Sequence, residues 1–174
     1  SAERTQAAKE LAEKIGMSPV LADLLIRRGI KTESAAKRFF RPMLSELIDP
    51  FLMNDMDIAV DRLNDAMGRK ERIMVYGDYD VDGCTAVALV YKVLQQFYSN
   101  IEYYIPDRYD EGYGVSRKSI DEAKERGVKL IIVLDCGIKA NEEIAYARTL
   151  GIDFIICDHH EPDDEMPPAV AILN

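Results

Sequence analysis

No apolar run in these 174 residues approaches the ~18–20 positions a membrane-crossing helix needs, and no basic, apolar, small-residue series at the start resembles a signal peptide. A cytoplasmic location without a membrane partner is the default expectation. Cysteine is scarce. Cys84, Cys136 and Cys157 form an odd, dispersed set, which argues against a disulfide framework and fits a reducing compartment. They also lack the paired short spacing of a cysteine zinc site, even with His159 added, and read as small, partly buried packing residues. Net positive charge is missing too: the total is −9, a poor match to phosphate backbones, which need local cations.

The deficit is uneven. Residues 1–70 hold 12 Lys and Arg against 11 Asp and Glu, whereas residues 71–174 hold 10 against 20. Metal ions among those carboxylates would offset part of the charge, so a phosphate substrate stays open. With 48% hydrophobic and 30% charged residues, the length suits one ordinary globular domain with a small appendage.

The first 70 residues carry helical periodicity without a strand signal. Ala8, Leu11, Ala12 and Ile15 share a stripe closed by Gly16; Ser18 and Pro19 open a second helix that stops at Gly29; Thr32 caps a third that Pro42 ends. Asn54 or Asp55 caps a fourth, with Met56, Ala59, Val60, Leu63 and Met67 apolar. Within this part Arg27, Arg28, Lys31, Lys37, Arg38 and Arg41 make the one basic patch, readable as a nucleic-acid contact or as a solvated helix face.

After Lys70 the period changes. β-rich runs at about 72–77, 101–105, 130–134, 153–157 and 169–173 alternate with helical stretches at about 84–99, 116–126 and 140–150. This pattern predicts an α/β fold: a mostly parallel, five-stranded, doubly wound sheet over residues 71–174, preceded by an all-helical segment over residues 1–70 packed on the core.

Clusters of chemistry-bearing residues follow the runs. Asp78, Asp80 and Asp82 alternate after the first, Asp135 follows the third, and Asp158, His159 and His160 follow the fourth. In an extended or turning backbone the alternation sends all three first-run carboxylates one way. In an open α/β sheet ligands sit outside the carboxyl ends of the strands, so the three clusters converge on one edge. Alone, each has a plain reading: a capped, solvated turn for the aspartates, a strand-end turn for Asp135 with Gly137, a surface loop for the histidines. The aspartates also open like a calcium loop, but Leu89 stands where that loop needs a glutamate. Together they predict a site for two divalent cations, magnesium or manganese, and metal-assisted hydrolysis of a phosphate ester.

Between the second and third runs lies IPDRYDEGYGVS. Arg108 is a phosphate clamp or an ion-pair partner of Asp107, Asp110 or Glu111. Gly112, Tyr113 and Gly114 suit a tight loop whose amides, with the helix start at Ser116, approach an anion. Tyr109 and Tyr113 stack on bases or pack in a lid.

GDYDVDG, then PDR with EGYG, then DCG, then DHH, in this order and spacing, resembles the RecJ family of single-strand-specific exonucleases in the DHH phosphoesterase superfamily. The helical lead-in with RRGI and DPFLMNDM is similar as well. The resemblance implies 5′-to-3′ digestion of single-stranded DNA in repair and recombination, with other repair or replication proteins as candidate partners. It implies Asp80, Asp82, Asp135 and His159 as metal ligands, Asp135 bridging, His160 beside the scissile phosphate, and Asp78 as ligand or support. The family continues past DHH to a further metal-binding aspartate and two more domains, so the chain is expected to be an N-terminal part with weak or no activity alone. Alternatives are a DHH-superfamily hydrolase of short oligonucleotides, cyclic dinucleotides or pyrophosphate, and a non-catalytic nucleic-acid-binding scaffold.

Overall fold

The computed structural model describes residues 2–174, in two compact units that divide between Asp49 and Pro50. In the first unit three helices, α1 (Ala2–Ile15), α2 (Pro19–Arg27) and α3 (Glu33–Phe40), pack around Ala8, Leu11, Ala12, Ala22, Leu25 and Ala36. The second and third are capped as the sequence predicts: Ser18 Oγ accepts from Leu21 N–H at 3.4 Å, and Thr32 Oγ1 from Ala35 N–H at 3.2 Å.

The second unit runs α4 (Met56–Gly68), β1 (Arg72–Gly77), α5 (Val81–Leu94), β2 (Ile101–Tyr104), α6 (Arg117–Glu125), β3 (Val128–Leu134), α7 (Asn141–Thr149), β4 (Asp153–Cys157) and β5 (Ala171–Leu173). The sequence changes period after Lys70, yet the units divide earlier because α4 belongs with the sheet. Its Ala59 and Ala66 are buried with Ile73, Val75 and Leu130, and Asp55 Oδ2 at its start accepts from Ile172 N–H of β5 at 3.1 Å.

All five strands are parallel, in the order β2-β1-β3-β4-β5. Alternation along each strand supplies both faces. Ile73, Val75, Leu130 and Ile132 meet α4 and α5 on one; Met74, Tyr76, Ile131 and Val133 meet α6 and α7 on the other. Each such residue, fully buried, contributes ~1.5–3 kcal/mol relative to exposure. From β1 the chain moves outward to β2, then returns to β3 on the opposite side, so the switch point lies between the carboxyl ends of β1 and β3.

The helix after β1 begins earlier than the sequence suggests, at Val81 rather than near residue 84. Asp80 is its N-cap, with Oδ1 accepting from Gly83 N–H at 2.9 Å, so Asp82 and Gly83 lie in the first turn. The three aspartates therefore do not alternate along one extended segment. A Cβ on Gly83 would lie 2.3 Å from the Asp78 carbonyl oxygen and 2.6 Å from its nitrogen, and one on Gly77 would lie 2.4 Å from a Val87 methyl. These two glycines let α5 seat directly on the end of β1. Among the described residues no helix is long and apolar enough to cross a membrane.

Candidate metal centre

Asp78 continues β1 and is 1% exposed, with no hydrogen-bond donor for its buried Oδ1. An unpartnered carboxylate oxygen in such a place is costly unless a cation or a water bound to one completes it. Asp80 and Asp82 follow, both exposed. Asp135 leaves β3 in the left-handed region at φ 61°, a conformation rare for residues other than glycine and commonest at functional sites. Its N–H still donates to the Cys157 carbonyl at 2.9 Å, so the strained residue is fixed to β4.

His159 Nε2 lies 3.0 Å from Asp135 Oδ1, and the candidate ligand atoms of Asp135, His159 and His160 all fall within 4.8 Å of one another. Burial raises the Asp135 pKa, and the carboxylates of Asp80 and Asp82 push it further, opposed by His159. Asp82, Asp135 and His159 line one groove. The structure thus brings Asp135, His159 and His160 into one cluster with Asp80 and Asp82 close enough to be felt. Hard oxygens with a minority of imidazole suit magnesium or manganese, and the orphaned Asp78 oxygen fits the same cation-seeking environment.

Asp158, treated in sequence only as the first letter of its motif, organises the edge. Burial pushes its pKa up, but donors from Ile138 N–H, His160 Nδ1, His160 N–H and His159 N–H outweigh this and hold it low. Its Oδ2 takes Ile138 N–H at 3.0 Å, and its Oδ1 sits 2.7 Å from His160 Nδ1. One carboxylate therefore ties the loop after β3 to the loop after β4 and keeps a proton on His160 Nδ1, raising the His160 pKa. The only signal in the sequence was its position at a strand end.

Arg108 pairs with none of its neighbouring carboxylates. Asp107 Oδ1 caps Tyr109 and Asp110 N–H, Asp110 approaches Lys118 at 3.9 Å, and Glu111 accepts from Tyr104 Oη, Asp107 N–H and Ser116 Oγ. The guanidinium instead lies 4.5 Å from the ring centre of Tyr79, between Asp78 and Asp80 in the chain. Tyr79 was missed because nothing in its spacing distinguishes it from a packing residue.

Gly112 and Gly114 both take positive φ, 79° and 82°, so the tight loop forms. The Gly114 carbonyl accepts from Tyr76 Oη at 2.7 Å, and Ser116 Oγ donates to Glu111 while capping α6 through Ser119 N–H. Carbonyl and hydroxyl are thus engaged in shaping the loop. Tyr113 is exposed, its ring edge-on to His160 with centroids 6.2 Å apart, and burial first, then the thiol of Cys136 and nearby acids, push its pKa up to about 12. Tyr109 is 93% exposed and packs in nothing. Cys136 is buried and Cys157 half-buried, as packing residues should be, but Cys84, in the first turn of α5, is exposed, its thiol donating to the Asp78 carbonyl at 3.8 Å. In the basic patch Arg27 pairs with Asp23 and Lys37 with Glu33, whereas Arg28, Lys31, Arg38 and Arg41 are exposed without an ion pair among the described residues.

The family model described as DHH family, N-terminal domain, matches residues 72–174. The single-stranded-DNA-specific exonuclease RecJ of Bacillus subtilis is 42% identical over 166 residues, covering 95% of this chain and 21% of that protein. The Escherichia coli protein of the same name is 37% identical over 160 residues, covering 91% and 27%. A crystal structure of RecJ with Mn2+ from Thermus thermophilus superposes at TM-score 0.74 with 25% identity, covering 95% of this chain and 23% of that one. A second, exonuclease RecJ bound to manganese, gives 0.64 with 33% identity over 68% and 31%. The chain thus spans between a fifth and a third of the length of these four proteins.

Proposed function

The chain belongs to the DHH family, and on that premise we propose that it is the metal-holding part of a single-strand-specific DNA exonuclease that removes mononucleotides from the 5′ end. The observation that carries this reading is the cluster of Asp135, His159 and His160 at the carboxyl edge of a parallel sheet, together with a buried Asp78 oxygen at the end of β1 that no donor meets. Its similarity to manganese-bound RecJ structures supports divalent cations, manganese or magnesium, and the number of carboxylates suits two of them.

Asp80, Asp82, Asp135 and His159 would hold the cations, and Asp78 would complete or support the set. Bound ions would supply an activated water and a Lewis acid for in-line displacement at phosphorus. His160, kept protonated at Nδ1 by Asp158, presents its Nε2 edge to the phosphate and stabilises charge there. Arg108, its guanidinium 4.5 Å from the Tyr79 ring centre and without an ion pair among the described residues, would give the phosphate a planar fork of donors. Tyr113 offers a ring face to a base. Gly114 and Ser116 shape the loop that carries it.

The test is a chimaera in which this chain replaces the matching 21% of the Bacillus subtilis relative. Digestion of a 5′-labelled single strand in manganese should persist and should fall by at least ~100-fold with Asp135→Ala. An Asp135→Ala chimaera as active as its parent would refute the assignment.

A further inference from the structure

Charge divides the chain where its two compact units do. Residues 1–49 hold nine Lys and Arg against seven Asp and Glu, a net +2, whereas residues 50–174 hold 13 against 24, a net −11. Away from the metal centre, the helical unit is therefore the part of the chain that attracts a polyanion. Within it Arg27 is taken by Asp23 and Lys37 by Glu33, but Lys14, Arg28, Lys31, Arg38 and Arg41 have no ion pair among the described residues.

The dipole of α3 favours cations in its last turn, and that accounts for Lys37 and Arg38. It does not account for Phe39 and Phe40, exposed beside them with ring centroids 5.1 Å apart and planes at 83°. Phe40 also lines a hollow of about 300 Å³ together with Ile15, Met17 and Ala36, and Lys14 and Arg41 line the same hollow. Glu33 lies there too, with its charge engaged by Lys37 at 2.6 Å. The volume is at the small end of ligand cavities and suits one base with its sugar. Unpaired cations beside an exposed ring over an apolar hollow supply both parts of a single-strand site, phosphate contacts and a stacking face.

We propose that the helical unit is a second binding site for single-stranded DNA, independent of the metal centre, in which Phe40 stacks on a base while Lys14, Arg38 and Arg41 take flanking phosphates. The polyanion is named as DNA on the strength of the proposed function; the unpaired cations, the rings and the hollow are independent of it. A strand held here stays tethered while its end is cut, so the site governs how long the chain keeps a strand and not the chemical step.

Fluorescence anisotropy of a labelled 20-residue oligothymidylate, titrated with the 174-residue chain in EDTA, tests this directly. Binding is expected without any metal, with log affinity falling against log salt at a slope of about −2 for three phosphates. Phe40→Ala should weaken it about tenfold and Phe40→Trp should retain it. Arg38→Gln combined with Arg41→Gln should make the slope shallower by about 1.4. Manganese affinity, read by calorimetry, should be the same in all of these variants as in the parent. If the chain binds manganese but no strand in EDTA, or if neither Phe40→Ala nor the double arginine variant weakens strand binding, the inference fails and the metal reading stands. If the strand binds in EDTA and manganese does not bind, the metal reading fails and the helical site stands. A glutamate-rich peptide carrying one phenylalanine that displaces the strand at equal or lower concentration would overturn DNA as the occupant.

Discussion

Both edges of the sheet gather carboxylates, and only one edge supplies its own cation. At the amino edge Glu71 and Asp153 converge on Arg62, at 2.7 and 2.8 Å, with the guanidinium largely shielded from solvent. Burial there would lower the Arg62 pKa, but its hydrogen bonds to Asp153 and Glu71 prevail and raise it. At the carboxyl edge Asp78, Asp80, Asp82 and Asp135 meet two imidazoles and no Lys or Arg ion pair among the described residues. Charge balance inside the chain is what holds a fold together; charge imbalance at a switch point is what invites a ligand.

The largest effect expected at the carboxyl edge comes from Gly83→Ala. The new Cβ would force α5 away from Asp78, costing ~3 kcal/mol in urea unfolding and displacing Asp80 and Asp82, so manganese binding should fall as well. At the amino edge Arg62→Met leaves two acids facing each other and should cost ~2 kcal/mol while leaving manganese affinity within about twofold. Were Arg62→Met to abolish metal binding, the two edges would not be independent.

Asp78→Asn sharpens the contrast further. In EDTA it should leave stability unchanged or raise it by ~1 kcal/mol, since a buried carboxylate with an oxygen that no donor meets is replaced, yet weaken manganese binding about tenfold. A clear loss of stability in EDTA would show that Asp78 is paired within the fold after all.

The smallest effect is a titration. Asp158 raises the folded-state pKa of His160 above its ordinary 6.5, so the stabilisation from this pair is full below that value and fades as pH rises through the raised one. The Asp158 contribution has the opposite sense: its lowered pKa gives stability above the ordinary carboxylate range that is lost as pH falls through the lowered value. In EDTA the His160 ring protons should report a midpoint above 6.5 that Asp158→Asn brings down.

Much of this was legible in the chain. Periodicity switching from helical to strand after Lys70 gave the parallel sheet, and clusters after the first, third and fourth runs gave the edge they share, because strand ends are fixed by pattern and direction alone. The extended alternation of the three aspartates was not how the backbone solved the turn: a cap at Asp80 is worth more than continued extension, and Gly83 allows the helix to start against the strand. The roles of Asp158 and Tyr79, and the turn of Glu111 to Ser116 and Tyr104 instead of Arg108, depend on neighbours distant in sequence or on a loop path that spacing does not encode.

The most direct test is calorimetric titration of the chain with manganese at neutral pH, beside Asp135→Ala and Arg62→Met. The account predicts binding to the parent and to Arg62→Met, and at least ~tenfold weaker binding to Asp135→Ala. No binding to the parent, or equal binding to Asp135→Ala, would contradict it.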